Sequence, residues 1–259
     1  MECNRTPISN KNYLCDQDHS KNPYSKEQEF IQLDSHGREY SRILYTNPVC
    51  FLSTTDSHGG PPKRNVMSVT WLSATNNSGK FMMSINSKRY TASLLTKETC
   101  FVLSVPVKGM EELVLSVGKT SGRWKSSKFP KDHIDNSKDS CSLAEGQKKK
   151  KFKFEHGIDG LVATKIGTSL EITDEEEPFA IQGTVAHLVC QSYKIFDLES
   201  QIIDNEHYLV MAQVKDAYVD KEYWDTKKKL FRPSSKANPY LTFFGSQTFG
   251  YIMCHDQMR

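Results

Sequence analysis

The feature that most constrains this chain is a succession of short runs rich in β-branched and aromatic residues, punctuated by Gly, Pro and polar clusters. Val49 to Thr54 is one such run and Asn65 to Leu72 the next; the glycines and prolines between Asp56 and Pro62 make them a strand pair joined by about ten residues. Phe81 to Asn86 and Cys100 to Val105 follow, the latter stopped by Pro106, which has no N–H to donate to a ladder. Further strands are expected over 161–166, 180–191, 207–219 and 241–244, and short helices over 38–45, 91–97 and 110–117. So many strands with so little helix between them predict a mainly β chain, an antiparallel barrel in preference to a doubly wound parallel sheet.

The 259 residues suit one large domain with a sizeable core. Only 37% are apolar, which implies polar segments that add little to that core, while aromatics at 10% exclude a wholly disordered chain. Residues 1–28 have no periodicity and are expected to form a polar tail, leaving 29–259 as the folded domain. No stretch approaches the roughly 18 consecutive apolar residues of a membrane helix, and the first residues lack the apolar centre of a secretion signal. Seven scattered cysteines without a C-x-x-C pair argue against a disulfide framework or zinc ribbon, and point to a cytoplasmic protein.

Charge is unevenly placed. Between 119 and 154 eleven Lys or Arg face four acids, a local balance of +7 that leaves −4 for the remainder of a chain whose formal charge is +3. The middle of this stretch has almost no apolar residues, so a basic flexible insert is expected at about 130–154. Lys148 to Lys153 invites a polyanion-binding reading by counterion release. A solvated loop accounts for the same residues, and with aromatics limited to Phe152 and Phe154 a nucleic-acid partner is not expected.

The chemically informative stretch runs from Ser84 to Ser93. It sets hydroxyls, an amide and the Arg89 guanidinium where a strand turns into a helix near Thr91. One reading is a phosphate pocket, with helix N–H groups and a two-pronged arginine meeting an anion. The other is that Thr91 is an N-cap and Arg89 a solvated charge. Eight histidines show no metal spacing, and Asp132-His133-x-Asp135 in a basic loop is not read as a metal site. Trp71 with Phe81, Met82 and Met83 suggests a stacking box, but Met82 and Met83 are assigned to packing. No nucleophile elbow supports a hydrolase.

Taken together these pieces resemble the flavin reductase-like family of FMN-binding split barrels, which includes flavoredoxins. Asn65-Val66-Met67-Ser68-Val69-Thr70-Trp71 resembles the family's N-x-M-(S/T/P)-V-(S/T)-W strand, and Ser84 to Thr91 its S-x-x-x-x-R-(Y/F)-T segment. Cys100 to Pro106, the pairs Ser121-Gly122 and Lys128-Phe129, His207 to Val214, and Pro239-Tyr240-Leu241 with Gly245 and Tyr251 resemble later family segments in the same order. Ala212 stands where the family usually has glycine, and the Lys-rich insert and the N-terminal tail have no counterpart.

The resemblance implies an antiparallel split β-barrel with a few short helices, a homodimer, and FMN as cofactor. Arg89, Thr91 and Ser87 would hold the phosphate, with Asn86 beside it or beside the ribityl hydroxyls. Asn65, Met67, Ser68, Val69, Thr70 and Trp71 would line the ring edge, with Ser84, Tyr90 and Ser104 nearby, and His207 would either touch flavin or nicotinamide or be a strand histidine hydrogen-bonded to the barrel. The implied activity is NAD(P)H-dependent flavin reduction, hydride passing from NADH or NADPH to flavin N5. The rivals are an FMN carrier in electron transfer, a polyanion-binding module on a cofactor-free barrel, and an enzyme like pyridoxamine-phosphate oxidase.

Overall fold

The computed structural model describes residues 48–56, 63–123, 128–129, 157–172, 177–197 and 206–254. The expected tail over 1–28, the helix over 38–45 and the insert at 130–154 lie outside the described residues. Along the chain come β1 (Cys50–Asp56), β2 (Lys63–Val69), β3 (Leu72–Ala74), β4 (Lys80–Asn86), α1 (Tyr90–Leu94), β5 (Cys100–Ser104) and α2 (Glu111–Lys119). Then follow β6 (Ala163–Lys165), β7 (Phe179–Ile181), β8 (Ala186–Asp197), β9 (His207–Val219), β10 (Trp224–Asp225), β11 (Leu230–Phe231), β12 (Tyr240–Gly245) and β13 (Thr248–Ile252).

Seven strands make one antiparallel sheet in the order β2-β1-β5-β8-β9-β4-β3. The two marginal strands, β2 and β3, are neighbours in sequence, joined only by Thr70 and Trp71. Three residue steps span about 10 Å at most, so the sheet must curl until its margins nearly meet. That closure defines a split β-barrel. The single strand expected over Asn65 to Leu72 is therefore two, because the run leaves one end of the sheet and joins the other.

Burial follows the strand period of two. In β4, Phe81, Met83 and Ile85 face the core while Met82 is 38% exposed, so packing holds for Met83 and not for Met82. Trp71 is likewise exposed, at 39%. The core inside the curl gathers Cys50, Leu52, Val69, Phe81, Met83, Ile85, Phe101, Leu103, Val210 and Ala212. A second core, with Val49, Phe51, Val66, Val114, Val117, Phe129 and Leu241, lies on the opposite side of β1 and β2. Because the first half of β1 is buried on both faces, Cys50, Phe51 and Leu52 are consecutive apolar residues without alternation, and the polar Ser53 and Thr54 that follow are buried with them.

Helix α2 turns Val114 and Val117, three positions apart, onto β2, and Ser68 Oγ donates to Val114 O at 2.8 Å. Glu111 and Glu112 in its first turn and Lys119 in its last match the helix dipole. Helix α1 is one turn, shorter than the 91–97 expectation. The run expected over 180–191 divides into β7 and β8, since Gly183 takes φ +83 in the turn between them. Strand β13, absent from the sequence reading, pairs with β12, which is bridged to the barrel through Pro48–Thr242 and Val107–Tyr240.

Candidate functional site

The corner after β4 is built by its own amide. Asn86 Oδ1 accepts from Lys88 N at 3.0 Å and Asn86 O from Arg89 N at 3.0 Å, which turns the chain into α1. Ser87 N donates to Glu206 O at 2.6 Å, tying the corner to the start of β9. Arg89 occupies the N-cap position without a side-chain cap, so Thr91 is not the cap. Instead Thr91, 2% exposed, accepts from Asn65 Nδ2 on β2 at 2.9 Å. This bond brings the two motif stretches together.

Around that bond stand three cations. Arg89 Nη1 donates to Gly118 O at 3.0 Å, Lys128 Nζ to Val117 O at 3.3 Å and to Val66 O at 2.6 Å, and Lys63 Nζ to Gly122 O at 2.9 Å. Lys63 also lies 5.8 Å from the centre of the Tyr90 ring. Lys128 is buried, and desolvation, reinforced by the charges of Arg89 and Lys63, lowers its pKa to about 8. Tyr90 donates its hydroxyl to Asp56; burial first, then that carboxylate, pushes the phenol up to about 12.

Two features of this corner fit a phosphorylated polyol. Asn65 is 1% exposed, yet among the described residues its Oδ1 has no hydrogen-bond partner. Thr91 can satisfy only one half of the amide, so the other half remains for a ligand group. Gly118 and Gly122 line the same place: a Cβ on Gly118 would stand 3.0 Å from Ser68 Oγ, and one on Gly122 2.7 Å from Tyr90 Cδ1. Main chain therefore approaches closely where a side chain would fill the cradle.

The other residues named from the sequence fall elsewhere. Trp71 stacks on His207, ring centroids 5.3 Å apart and planes at 28°, and Trp71 O accepts from Ser84 N at 2.9 Å. Met67 is half-buried against the first core, Val69 lies within it, and Thr70 is half-buried in the link between margins. Ser104 is fully buried in line with Phe51, and its Oγ accepts from Ile181 N at 3.3 Å. Lys63, Lys128 and Gly118 were not singled out as site residues; Lys128 and Gly122 carried a motif match without a role. A cavity of about 270 Å³ beside Glu222, Trp224, Asp225, Arg232 and Cys254 shares no residue with this corner.

An antiparallel sheet curled until its margins nearly meet defines a split β-barrel. The chain belongs to the flavin reductase-like family: the model described as "Flavin reductase like domain" matches residues 41–231. Among solved structures, an FMN-binding protein from Thermus thermophilus is similar at 15% identity and TM-score 0.55, over 88% of this chain and 97% of its own. A 2-nitrobenzoate 2-nitroreductase from Pseudomonas fluorescens follows at 12% identity and TM-score 0.54, covering 87% and 93%. An NADH:FAD oxidoreductase from Streptomyces globisporus gives 14%, 0.52, 88% and 100%. No curated protein matches.

Proposed function

We propose that the protein binds FMN at this corner and acts as an NAD(P)H-dependent flavin reductase. The observation that carries the reading is the buried, unpartnered Asn65 Oδ1 among Arg89, Lys63 and Lys128. A cationic corner suits a phosphate dianion, and a neutral acceptor beside it suits a hydroxyl of the adjoining ribityl chain. Arg89, with donors beyond the one engaged by Gly118, and Ser87 would take phosphate oxygens, while Thr91 orients Asn65. The ring would lie along the margin formed by β2, where Val66 to Thr70 present main-chain and hydroxyl groups.

When bound, flavin would supply the redox chemistry between a nicotinamide reductant and an electron acceptor. The chain's part is to bind, orient and shield. No protein acid or base is needed, so His207 is given a contact role: held against Trp71, it offers an aromatic surface to the flavin or nicotinamide. An NADH:FAD oxidoreductase among the similar structures supports a nicotinamide reductant. The homodimer rests on family membership, and the cytoplasmic location on the seven scattered cysteines.

The test is the absorption spectrum of the purified protein, followed by anaerobic titration with NADH and NADPH. Flavin bands that bleach with either nicotinamide are expected. A yellow protein that neither nicotinamide bleaches would be a carrier. A colourless one that refuses added FMN would overturn the reading.

A further inference from the structure

We propose that the outer edge of β13 is where a second copy of this chain joins, β13 pairing antiparallel with its symmetry mate so that the β12–β13 hairpins of two protomers run into one four-stranded sheet. The inference rests on the homodimer of the reading above and says which edge forms it; it requires no flavin.

The observation that carries it is an absence of charge. Residues 237–254 hold no Asp, Glu, Lys, Arg or His, in a chain of which 25% is charged. They supply β12 and β13, and among the described residues β13 pairs with β12 alone, so the N–H and C=O groups on its far side form a row ready for another strand. A margin that is to stay unpaired is ordinarily kept short or charged. The other margins among the described strands follow that rule: β3, β6 and β7 have three residues each and β10 and β11 two, while β2 opens with Lys63 and Arg64. β13 has five residues, Thr248–Ile252, with neither a charge nor a proline.

Its flanks are apolar on both faces. Phe244, 47% exposed, lies over Gly250, where a Cβ would overlap its ring. Tyr251, 41% exposed, points to the opposite face. A purely intramolecular role holds for Phe243 and Phe249, whose ring centroids lie 5.5 Å apart against the second core, and leaves Phe244 and Tyr251 uncovered.

A second copy is favoured over a foreign strand because the edge is complementary to itself. Two-fold pairing about Gly250 sets Thr248 opposite the partner's Ile252 and Phe249 opposite the partner's Tyr251, so no charge on the strand meets its own mate, and the two Phe244 rings come together beside the axis. The ions held against this strand are of opposite sign: Lys108 Nζ lies 5.5 Å from the centre of the Tyr251 ring, and Glu111 Oε1 accepts from the Tyr251 hydroxyl at 2.9 Å. A foreign peptide of given charge would find no charged residue on β13 to select it.

Sedimentation of the full chain over a range of concentrations reads the association, and wild type is expected to be a dimer. Thr248 is exposed, so Thr248→Lys should fold, and it sets a lysine opposite the partner's Ile252. The two-fold counts the change twice, so the dimer should weaken by at least about tenfold, with Thr248→Ser close to wild type. Hydrogen exchange on wild type is the second measurement: β13 amides facing away from β12 should be protected in the dimer and lose protection on dilution. A Thr248→Lys protein that stays dimeric, or outward β13 amides that exchange fast in the wild-type dimer, would overturn the inference and leave the homodimer standing on another surface. Monomeric wild type would overturn both, while the flavin content of the same samples reports on the cofactor separately.

Discussion

Gly122 lies so close beneath Asn65 that a β-carbon on it would overlap Asn65 Oδ1 and stand 2.7 Å from Tyr90 Cδ1. The absent side chain is thus part of how the amide is placed. Gly122→Ala is expected to displace Asn65 from Thr91 and weaken FMN binding, with a strain of about 1–3 kcal/mol typical of overpacking. Fluorescence titration with FMN, beside a thermal melt, checks this. An alanine variant of wild-type affinity would show that the cradle is not used.

Arg89 is exposed and anchored by one carbonyl, so removing it should leave the fold intact. Arg89→Ala is expected to lower FMN retention by about 1.5–3 kcal/mol, the scale of hydrogen bonds to charged groups, or roughly ten- to a hundredfold. Flavin content after purification and a dissociation constant measure it. Unchanged content in a folded variant would refute the assignment.

Lys128 makes a pH prediction whose sign is fixed by its shift. Its pKa in the fold is about 8, below the ordinary 10.5, so the unfolded chain holds more protons in that interval. The burden of the buried charge, next to Arg89 and Lys63, is complete below about 8 and is relieved as pH rises toward 10.5. Compared at pH 7 and pH 10, the stability of wild type relative to Lys128→Met should rise by up to about 3 kcal/mol. Using the difference between the two proteins cancels the opposing loss from Cys50 and Tyr90, both raised to about 12. Denaturant titrations that give a pH-independent difference would contradict a charged, buried Lys128.

The Trp71–His207 stack offers a separate handle. Aromatic pairs of this kind contribute about 0.5–1.5 kcal/mol. His207→Ala is expected to raise KM for NADH or NADPH several-fold while flavin content stays near wild type. Steady-state kinetics with saturating flavin decides it; loss of flavin with unchanged KM would move His207 from the nicotinamide to the cofactor.

Much of the barrel was legible because strand burial leaves a period of two or an unbroken apolar run. His207 to Val219 coincides with β9, and the β4 and β5 runs lie within a residue of their observed bounds. What escaped was topology. Nothing in Asn65 to Leu72 signals that its two halves belong to opposite margins, because both halves remain extended and only their partners differ. β13 was hidden by Gly250, a weak strand former whose missing Cβ makes room for the Phe244 ring. In the site, hydroxyls and Arg89 were visible as residue types, whereas Lys63 was given no role and Lys128 stood only in a motif pair. The Ser121-Gly122 and Lys128-Phe129 pairs were the available signal, noticed as pattern and given no chemistry. Ser104 shows the reverse: its residue type was visible in the sequence and its complete burial was not.

Joining two sheet margins through Thr70 and Trp71 leaves no slack for register error. One residue inserted there would reverse the facing of Leu72, Ser73 and Ala74 if β3 kept its pairing positions, or slide β3 along Met83, Met82 and Phe81 if it kept its facing. Either outcome would move the Trp71 ring relative to β2. The seam therefore works as a ruler between the two ends of the sheet, and its length is tolerant of changed side chains but not of changed residue number.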